Sequence, residues 1–224
     1  IITNGMLMNQ EICRKIIDSG LDHITISLDA ATAKVYENIR KGANFDRVTK
    51  NVSTLVKEDI NHSLDIRIGM TCSTYNIYEV PKMIGLCKKL GVKNLNVGGT
   101  HNWGRNYWKK EMKGTDLEEN LSAAQKIIRE AEHKSKQAGI NLTFTFISSK
   151  KKMKCTWPWL GTYITVDGYI TPCCIHGFDP RILNFGNIFK RNFKKIWNSK
   201  EYRKFRAAFK NGRHPKFCNG CPEI

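Results

Sequence analysis

His23-Ile24-Thr25-Ile26-Ser27-Leu28-Asp29 decides the fold: it is rich in β-branched residues, alternates in part, and reads as a strand that ends on polar groups. Upstream, Asn9 to Ser19 has helical spacing, with Ile12, Ile16 and Ile17 on one face and Gly20 as a stop signal. Downstream, Phe45 to Lys57 turns Val48, Val52, Leu55 and Val56 inward as a helix, and Leu64 to Cys72 is another strand. A helix over Ile77 to Leu90 ends at Gly91, and a strand comes next over Val92 to Val97. A polar-faced helix over Leu117 to Gln137 is closed by Gly139, and Leu142 to Ile147 is the next strand. Ile1-Ile2-Thr3-Asn4-Gly5 reads as the end of an earlier strand running into a turn.

Strand and helix thus alternate with a period of about 30 residues, the pattern of βαβ units around a parallel sheet, open or curled into a barrel. The units share no repeated sequence, which excludes a solenoid. In such α/β folds functional groups gather at the C-terminal ends of the strands. Four places qualify: Asn4, the Ser27–Asp29 pair, Cys72 to Asn76, and the loop Gly98-Gly99-Thr100-His101.

The texture changes at Ser148-Ser149-Lys150-Lys151-Lys152, which is charged and strand-breaking, so one domain is expected over 1–149 and a second over 150–224. Beyond the boundary, Thr162 to Val166 and Tyr169 to Thr171 flank Asp167-Gly168, a signal for a type I′ hairpin. Phe185-Gly186-Asn187-Ile188-Phe189 then leads into helical segments over Phe193 to Ser199 and Glu201 to Lys210, the second ending at Gly212.

The formal net charge of +17 is uneven: residues 151–224 carry 15 Lys+Arg against 4 Asp+Glu. A basic tail of this kind attracts polyanions, although a Lys-rich composition specifies little by itself. No apolar run approaches the roughly 18 residues that span a bilayer. The first residues have no basic n-region and are not a signal peptide, and further chain is expected upstream of Ile1. Eight cysteines in a chain with no sign of export suggest reduced thiols in the cytoplasm, gathered on a metal or cluster.

Cys155, Cys173, Cys218 and Cys221 are spaced C-x17-C-x44-C-x2-C. The hairpin brings Cys155 and Cys173 together across its base, and Cys218-Asn219-Gly220-Cys221 is a tight knuckle whose two thiolates can grip one centre. Pro172, Pro215 and Pro222 stiffen the approach to three of the four. Four thiolates fit either a tetrahedral zinc or a cubane iron–sulfur cluster. Cys174 is ambiguous beside Cys173, which is favoured at Gly168 plus five; Cys13, Cys87 and Cys72 read as core.

These residues resemble the radical S-adenosylmethionine (radical SAM) family with an auxiliary-cluster extension of the SPASM or shorter twitch type. Cys155-x12-Gly168-x4-Cys173, Phe185-Gly186-Asn187-Ile188, Ile196-Trp197-Asn198 and Cys218-x2-Cys221 occur in the order of that extension. The further C-x5-C-x3-C ligands of a full SPASM domain are absent, so the single-cluster twitch form fits better, or a SPASM domain cut short at Ile224. Thr3-Asn4-Gly5 and Ile26-Ser27-Leu28-Asp29 match the ends of the third and fourth barrel strands. Arg40, with Gly42 and Phe45-Asp46-Arg47-Val48, matches the stretch after that fourth strand.

The resemblance implies a partial (β/α) radical SAM barrel with a small cluster-binding extension after it. It implies that Asn4, Ser27, Asp29 and Asn76 lie by the SAM cofactor, with Arg40 pairing its carboxylate, a task suited to guanidinium. The residues alone also allow Ser27 to cap a turn, Asp29 to cap a helix, and Arg40 to form a surface ion pair. The family's C-x3-C-x2-C signature, which holds the SAM-cleaving 4Fe–4S cluster, and its Gly-Gly-Glu stretch are absent here. The fragment alone is therefore not expected to cleave SAM.

By resemblance, the parent enzyme generates a 5′-deoxyadenosyl radical that abstracts hydrogen from a peptide or small-molecule substrate, fed by an external one-electron donor. An auxiliary 4Fe–4S cluster at the four cysteines would transfer electrons or bind substrate. Trp103, Arg105 and Tyr107 would contact substrate or form a packed lid, and Cys72 and His101 would point toward the same cavity. No catalytic residue is assigned. The competing reading is a zinc-stabilised basic nucleic-acid-binding module on an α/β domain, and a third is a non-catalytic scaffold.

Overall fold

The computed structural model describes residues 1–100, 121–145, 155–175, 177–219 and 221. Described residues 1–145 form one compact unit and 155–221 form a second. No helix among them is long and apolar enough to cross a membrane.

In the first unit β1 (Ile2–Thr3), β2 (His23–Ser27), β3 (Asp65–Cys72), β4 (Asn94–Gly99) and β5 (Asn141–Phe144) form a parallel sheet in the order β1-β2-β3-β4-β5. The helices are α1 (Gln10–Asp18), α2 (Ala33–Ile39), α3 (Phe45–Glu58), α4 (Val80–Leu90) and α5 (Leu121–Ala138). Each strand lies beside its predecessor, and βαβ crossovers keep one hand, so the connecting helices all fall on one face.

Burial alternates accordingly. Ile24, Ile26, Ile66, Ile68, Met70, Leu95 and Val97 are buried. The opposite phase carries the polar rungs Thr25–Arg67–Asn94–Asn141 and Ser27–Gly69–Asn96–Thr143. A doubly wound sheet would cover both faces with helices. This singly wound sheet instead keeps one polar face, as a segment of (β/α)-barrel wall does. Asp65 ties that face at the start of the strands: it accepts from Arg67 Nε at 2.8 Å and from Asn94 Nδ2 at 2.8 Å, and Asn141 Nδ2 donates to Asn94 Oδ1 at 2.9 Å.

Helix ends obey local chemistry. Asn9 Oδ1 accepts from the Ile12 N–H and Asn44 Oδ1 from the Arg47 N–H, and Gly91 takes the left-handed conformation that ends α4. Two features depart from the sequence pattern. On α1 the buried residue is Cys13, while Ile12 is 37% exposed. The other is α2, which the pattern omits because it buries only Tyr36 and is anchored from afar. Glu79 accepts from the Ala31 N–H at 3.1 Å and from Thr32 Oγ1 at 2.9 Å. Glu79 ends the 3-10 turn Ile77–Glu79 that opens the helix expected over 77–90, and it also pairs with Lys82 Nζ at 2.7 Å.

The second unit contains α6 (Trp157–Leu160), β6 (Tyr163–Ile164), β7 (Ile170–Thr171), α7 (Phe193–Trp197) and α8 (Lys200–Lys210). The hairpin forms, but its turn is not type I′. The Gly168 N–H donates to Thr165 O at 2.8 Å, and of the turn residues only Gly168 has positive φ, at 81°. That is a type I turn closed by a left-handed glycine, which leaves Asp167 in an ordinary conformation. A Cβ at Gly168 would lie 2.7 Å from the Phe189 ring.

The Phe185–Ile188 segment adds alongside the hairpin. The Ile170 N–H donates to Gly186 O and the Phe185 N–H to Ile170 O, each at 2.9 Å, and Asn187 Nδ2 donates to Asp167 O at 2.7 Å. Arg206 packs over both the Trp197 and Tyr202 rings, 4.2 Å from each, and donates to Pro158 O at 2.7 Å and Trp197 O at 2.8 Å. It thereby ties α6 and α7 to α8.

Glu79→Ala should strand the Ala31 N–H and free the start of α2, at a cost of about 2 to 3 kcal/mol in urea unfolding monitored by circular dichroism. Glu79→Gln keeps an acceptor oxygen and should lose less. Equal midpoints for wild type and Glu79→Ala would show that this carboxylate anchors nothing.

Candidate functional site

Four thiols meet in the second unit. Cys155 stands two residues before α6, Cys173 stands two residues beyond β7, and Cys218 closes a one-turn 3-10 helix, Lys216–Cys218, that starts after Pro215. The Cys221 N–H donates to Cys218 O at 3.1 Å, which closes the knuckle on itself. Cys155, Cys173, Cys218 and Cys221 all line one small cavity of about 20 Å³, together with Phe205, Phe209 and Phe217. Cys174 is exposed and is not part of that lining. Gly220, Pro222 and the residues over 148–152 lie outside the described residues.

The electrostatics of the cavity favour a cation-containing guest. Burial, and then the neighbouring Cys173, Cys221 and Cys155, push the Cys218 thiol up to about 12. Sulfurs crowded this closely resist becoming thiolates unless positive charge joins them, so binding an iron or zinc centre would release protons. The Gly177 N–H donates to Cys173 Sγ at 3.3 Å. A Cβ at Gly177 would lie 2.7 Å from Pro172 Cγ and 3.3 Å from that sulfur, so the backbone can approach only because the residue is glycine. Sequence reasoning missed Gly177, whose one local signal is its place four residues after Cys173.

The other three cysteines serve packing. Cys13, Cys72 and Cys87 are fully buried, and none of the eight cysteines is in a disulfide. Cys72 shares the phase of Ile66, Ile68 and Met70, so it faces the helix layer and not the polar side of the sheet, contrary to the expectation that it points to a common cavity. Burial, and then the Asp29 charge, pushes its thiol up to about 12.

At the C-terminal ends of β2 and β3 the first unit builds a second constellation. Asp29, 4% exposed, accepts from the Thr71 N–H at 2.8 Å and from Arg40 Nε at 2.5 Å. Asn76 donates to Asp29 O at 2.8 Å and to Thr71 O at 2.9 Å, and accepts from the Ser73 N–H at 2.7 Å and from Ser73 Oγ at 3.3 Å. Its amide is spent on the backbone, clamping the two strand ends together.

Arg40 caps the C-terminus of α2, and its two terminal nitrogens carry no hydrogen bond among the described residues. Ser27 ends β2 half-buried on the polar phase. Asn4 is exposed and accepts from the Met6 N–H at 3.0 Å; it has no hydrogen bond to the others. The structure thus joins Asp29, Arg40 and Asn76, adds Thr71, Ser73 and the more distant Glu79, and leaves Asn4 apart. His101, Trp103, Arg105 and Tyr107 lie outside the described residues.

Comparison with known proteins bears on both halves. Residues 1–71 match the model of the radical SAM superfamily, and residues 155–222 match SPASM, described as an iron–sulfur cluster-binding domain. An AdoMet-dependent heme synthase of Methanosarcina barkeri is 26% identical over 99% of this chain and 68% of its own length. The subtilosin biosynthesis protein AlbA of Bacillus subtilis is 23% identical over 99% of this chain and 46% of its own. The crystal structure of Streptococcus suis SuiB superposes with a TM-score of 0.65 at 16% identity, over 93% of this chain and 50% of that one. The chain therefore spans about half the length of the solved structure it matches. The chain thus carries a radical SAM match over residues 1–71 and a SPASM cluster-binding match over residues 155–222, with residues 72–154 between them.

Proposed function

We propose that this chain is the cofactor-orienting wall and auxiliary-cluster domain of a radical SAM enzyme that modifies a peptide or small molecule, with residues 1–149 and 150–224 as the two domains. The observation that carries this reading is the single cavity shared by Cys155, Cys173, Cys218 and Cys221 inside the stretch that matches SPASM. When bound, SAM with its reducing cluster supplies a 5′-deoxyadenosyl radical that abstracts hydrogen, and the auxiliary cluster supplies a one-electron store.

The chain's own residues bind and orient. Asp29 holds Arg40 by Nε, so the terminal nitrogens of the guanidinium present a fork to a carboxylate such as that of SAM. Asn76 does not touch the cofactor in this reading; it is a positioning residue that fixes Asp29 through its carbonyl. Ser27 offers its hydroxyl from the polar face, and Asn4 faces the same end of the sheet from β1. The four thiolates of the second unit ligate one auxiliary 4Fe–4S cluster, the twitch-type count, and the Gly177 N–H on Cys173 Sγ tunes it.

The match of residues 155–222 to an iron–sulfur cluster-binding domain supports a cluster over a single zinc, which four thiols around one cavity could also hold. Peptide substrates are suggested by AlbA and by SuiB, whose crystal structure was also obtained with the precursor peptide SuiA. Small molecules are suggested by the heme synthase. An external one-electron donor and a cytoplasmic location accord with reduced thiols and cluster chemistry.

Anaerobically reconstituted full-length enzyme should show broad absorbance near ~400 nm from the auxiliary site even after the upstream cluster ligands are changed to alanine. Cys155→Ser and Cys218→Ser should each remove most of that residual absorbance and its iron. A colourless, zinc-loaded product would sink the cluster reading. Gly177→Ala should push Cys173 aside and lower auxiliary iron content at least about twofold while leaving the first unit's thermal transition in place. Unchanged iron content would show that the close N–H approach is dispensable.

A further inference from the structure

Helix α8 has two chemically opposite faces. Tyr202, Phe205 and Phe209 are buried on one, and the last two line the four-thiol cavity. Lys200 and Arg203 project from the other side, where they join Arg191, Lys194 and Lys195 around an open groove of about 610 Å³. Asn192, Asn198 and Ser199 complete the groove, and no carboxylate lines it; Glu201, on α8 nearby, is not part of the lining. A helix is about 10 Å thick with its side chains, so the groove and the cavity stand back to back across α8.

An aromatic chain joins them. Phe205 lies 6.2 Å from Tyr202, Tyr202 4.9 Å from Trp197, and Trp197 stacks on Phe193 at 5.8 Å, all between ring centroids. Phe193 is 43% exposed and sits in sequence between groove residues Asn192 and Lys194. Large aromatics are normally withdrawn from water, and here one ends a packed relay at the rim of a cationic groove. Five cations beside an exposed ring, with only Glu201 acting on two of them, form the complement of an acidic protein surface.

We propose that this groove docks an acidic one-electron carrier protein of the ferredoxin class, which exchanges electrons with the auxiliary centre across α8. The inference rests on the reading of the four thiols as a cluster site. The exchange moves one electron and nothing else: the carrier's iron–sulfur centre is oxidised as the auxiliary centre is reduced, or the reverse, with no bond or proton displaced. The packed aromatic rings give the electron a continuous path, and the groove's cations supply the steering that short-lived redox encounters need.

The test uses reconstituted full-length enzyme and a purified acidic 2Fe–2S ferredoxin. Calorimetric titration should give a one-to-one complex that weakens steeply as salt rises. Carbodiimide coupling of ferredoxin carboxylates should map to Lys194, Lys195 and Lys200. The charge reversal Lys194→Glu/Lys195→Glu/Arg203→Glu should weaken binding at least about tenfold while leaving the absorbance near ~400 nm intact.

Absorbance retained with equal binding by wild type and variant, or with cross-links elsewhere, overturns the docking site and leaves the cluster standing. Absorbance missing from both proteins overturns the cluster and this inference with it. Displacement of ferredoxin from wild type by an equimolar 20-nucleotide single strand would assign the groove to nucleic acid instead and also overturn the proposal.

Discussion

The second unit depends on four sulfurs held around one space. Its buried core is six apolar side chains and one of the cysteines, Cys218. A stretch of about 70 residues with so small a core gains too little from apolar burial to offset the ordering of its chain, and small domains of this kind are stapled by metals or disulfides. This stretch matches an iron–sulfur cluster-binding domain, and a cluster on the four cysteines would supply such a staple. The hairpin leads into Cys173, α8 walls the cavity with Phe205 and Phe209, and Phe185 packs on Tyr202 and Phe205 behind that wall. Arg206, packed against both Trp197 and Tyr202, ties these parts by hydrogen bonds to the carbonyls of Pro158 and Trp197.

In the first unit the governing constraint is winding. Because the strands run in sequence order, the helices stay on one face and the other face is released from the need to be apolar. Thr25, Ser27, Arg67, Asn94 and Asn96 can then alternate with a core of Ile, Met, Leu and Val. At the strand ends this freedom is spent on hydrogen bonds. One buried amide, Asn76, fixes both Asp29 and Thr71, and Asp29 fixes Arg40. The placement of the Arg40 guanidinium thus depends, through Asp29, on a buried amide that does not touch it.

Much of this was legible in the sequence because its signals were local. The β-branched run at 23–29, the inward triad Val48, Val52 and Leu55, and Gly91 each report on their own element. So did the cysteine spacing, since a hairpin and a two-residue knuckle are short-range devices. The features that were not legible depended on distant partners. Helix α2 buries only Tyr36 and is held by Glu79 from more than forty residues away, which no window of sequence displays. The turn at Asp167-Gly168 carries the residue pair of a type I′ hairpin. It resolves otherwise because Asn187 and Phe189, on a later segment of the chain, pack around Gly168. The pairing of Arg40 Nε with Asp29 is a contact across α2 that spacing alone does not reveal.

Charge in the second unit has two consequences that pull on the same residues. A cubane with four thiolates is an anion, and cations nearby stabilise its reduced form and raise its potential. The cations of α7 and α8 stand across one helix from the cavity, close enough to act on it and exposed enough to act on a partner. Aromatic packing separates the two effects in space: Tyr202, Phe205 and Phe209 keep water from the cluster side, so the field there is weakly screened, while the outer side is screened by salt. A single amphipathic helix can therefore set the affinity of a surface and the poise of a buried centre. Changing the charge of its outer face therefore acts on both, and salt weakens only the first.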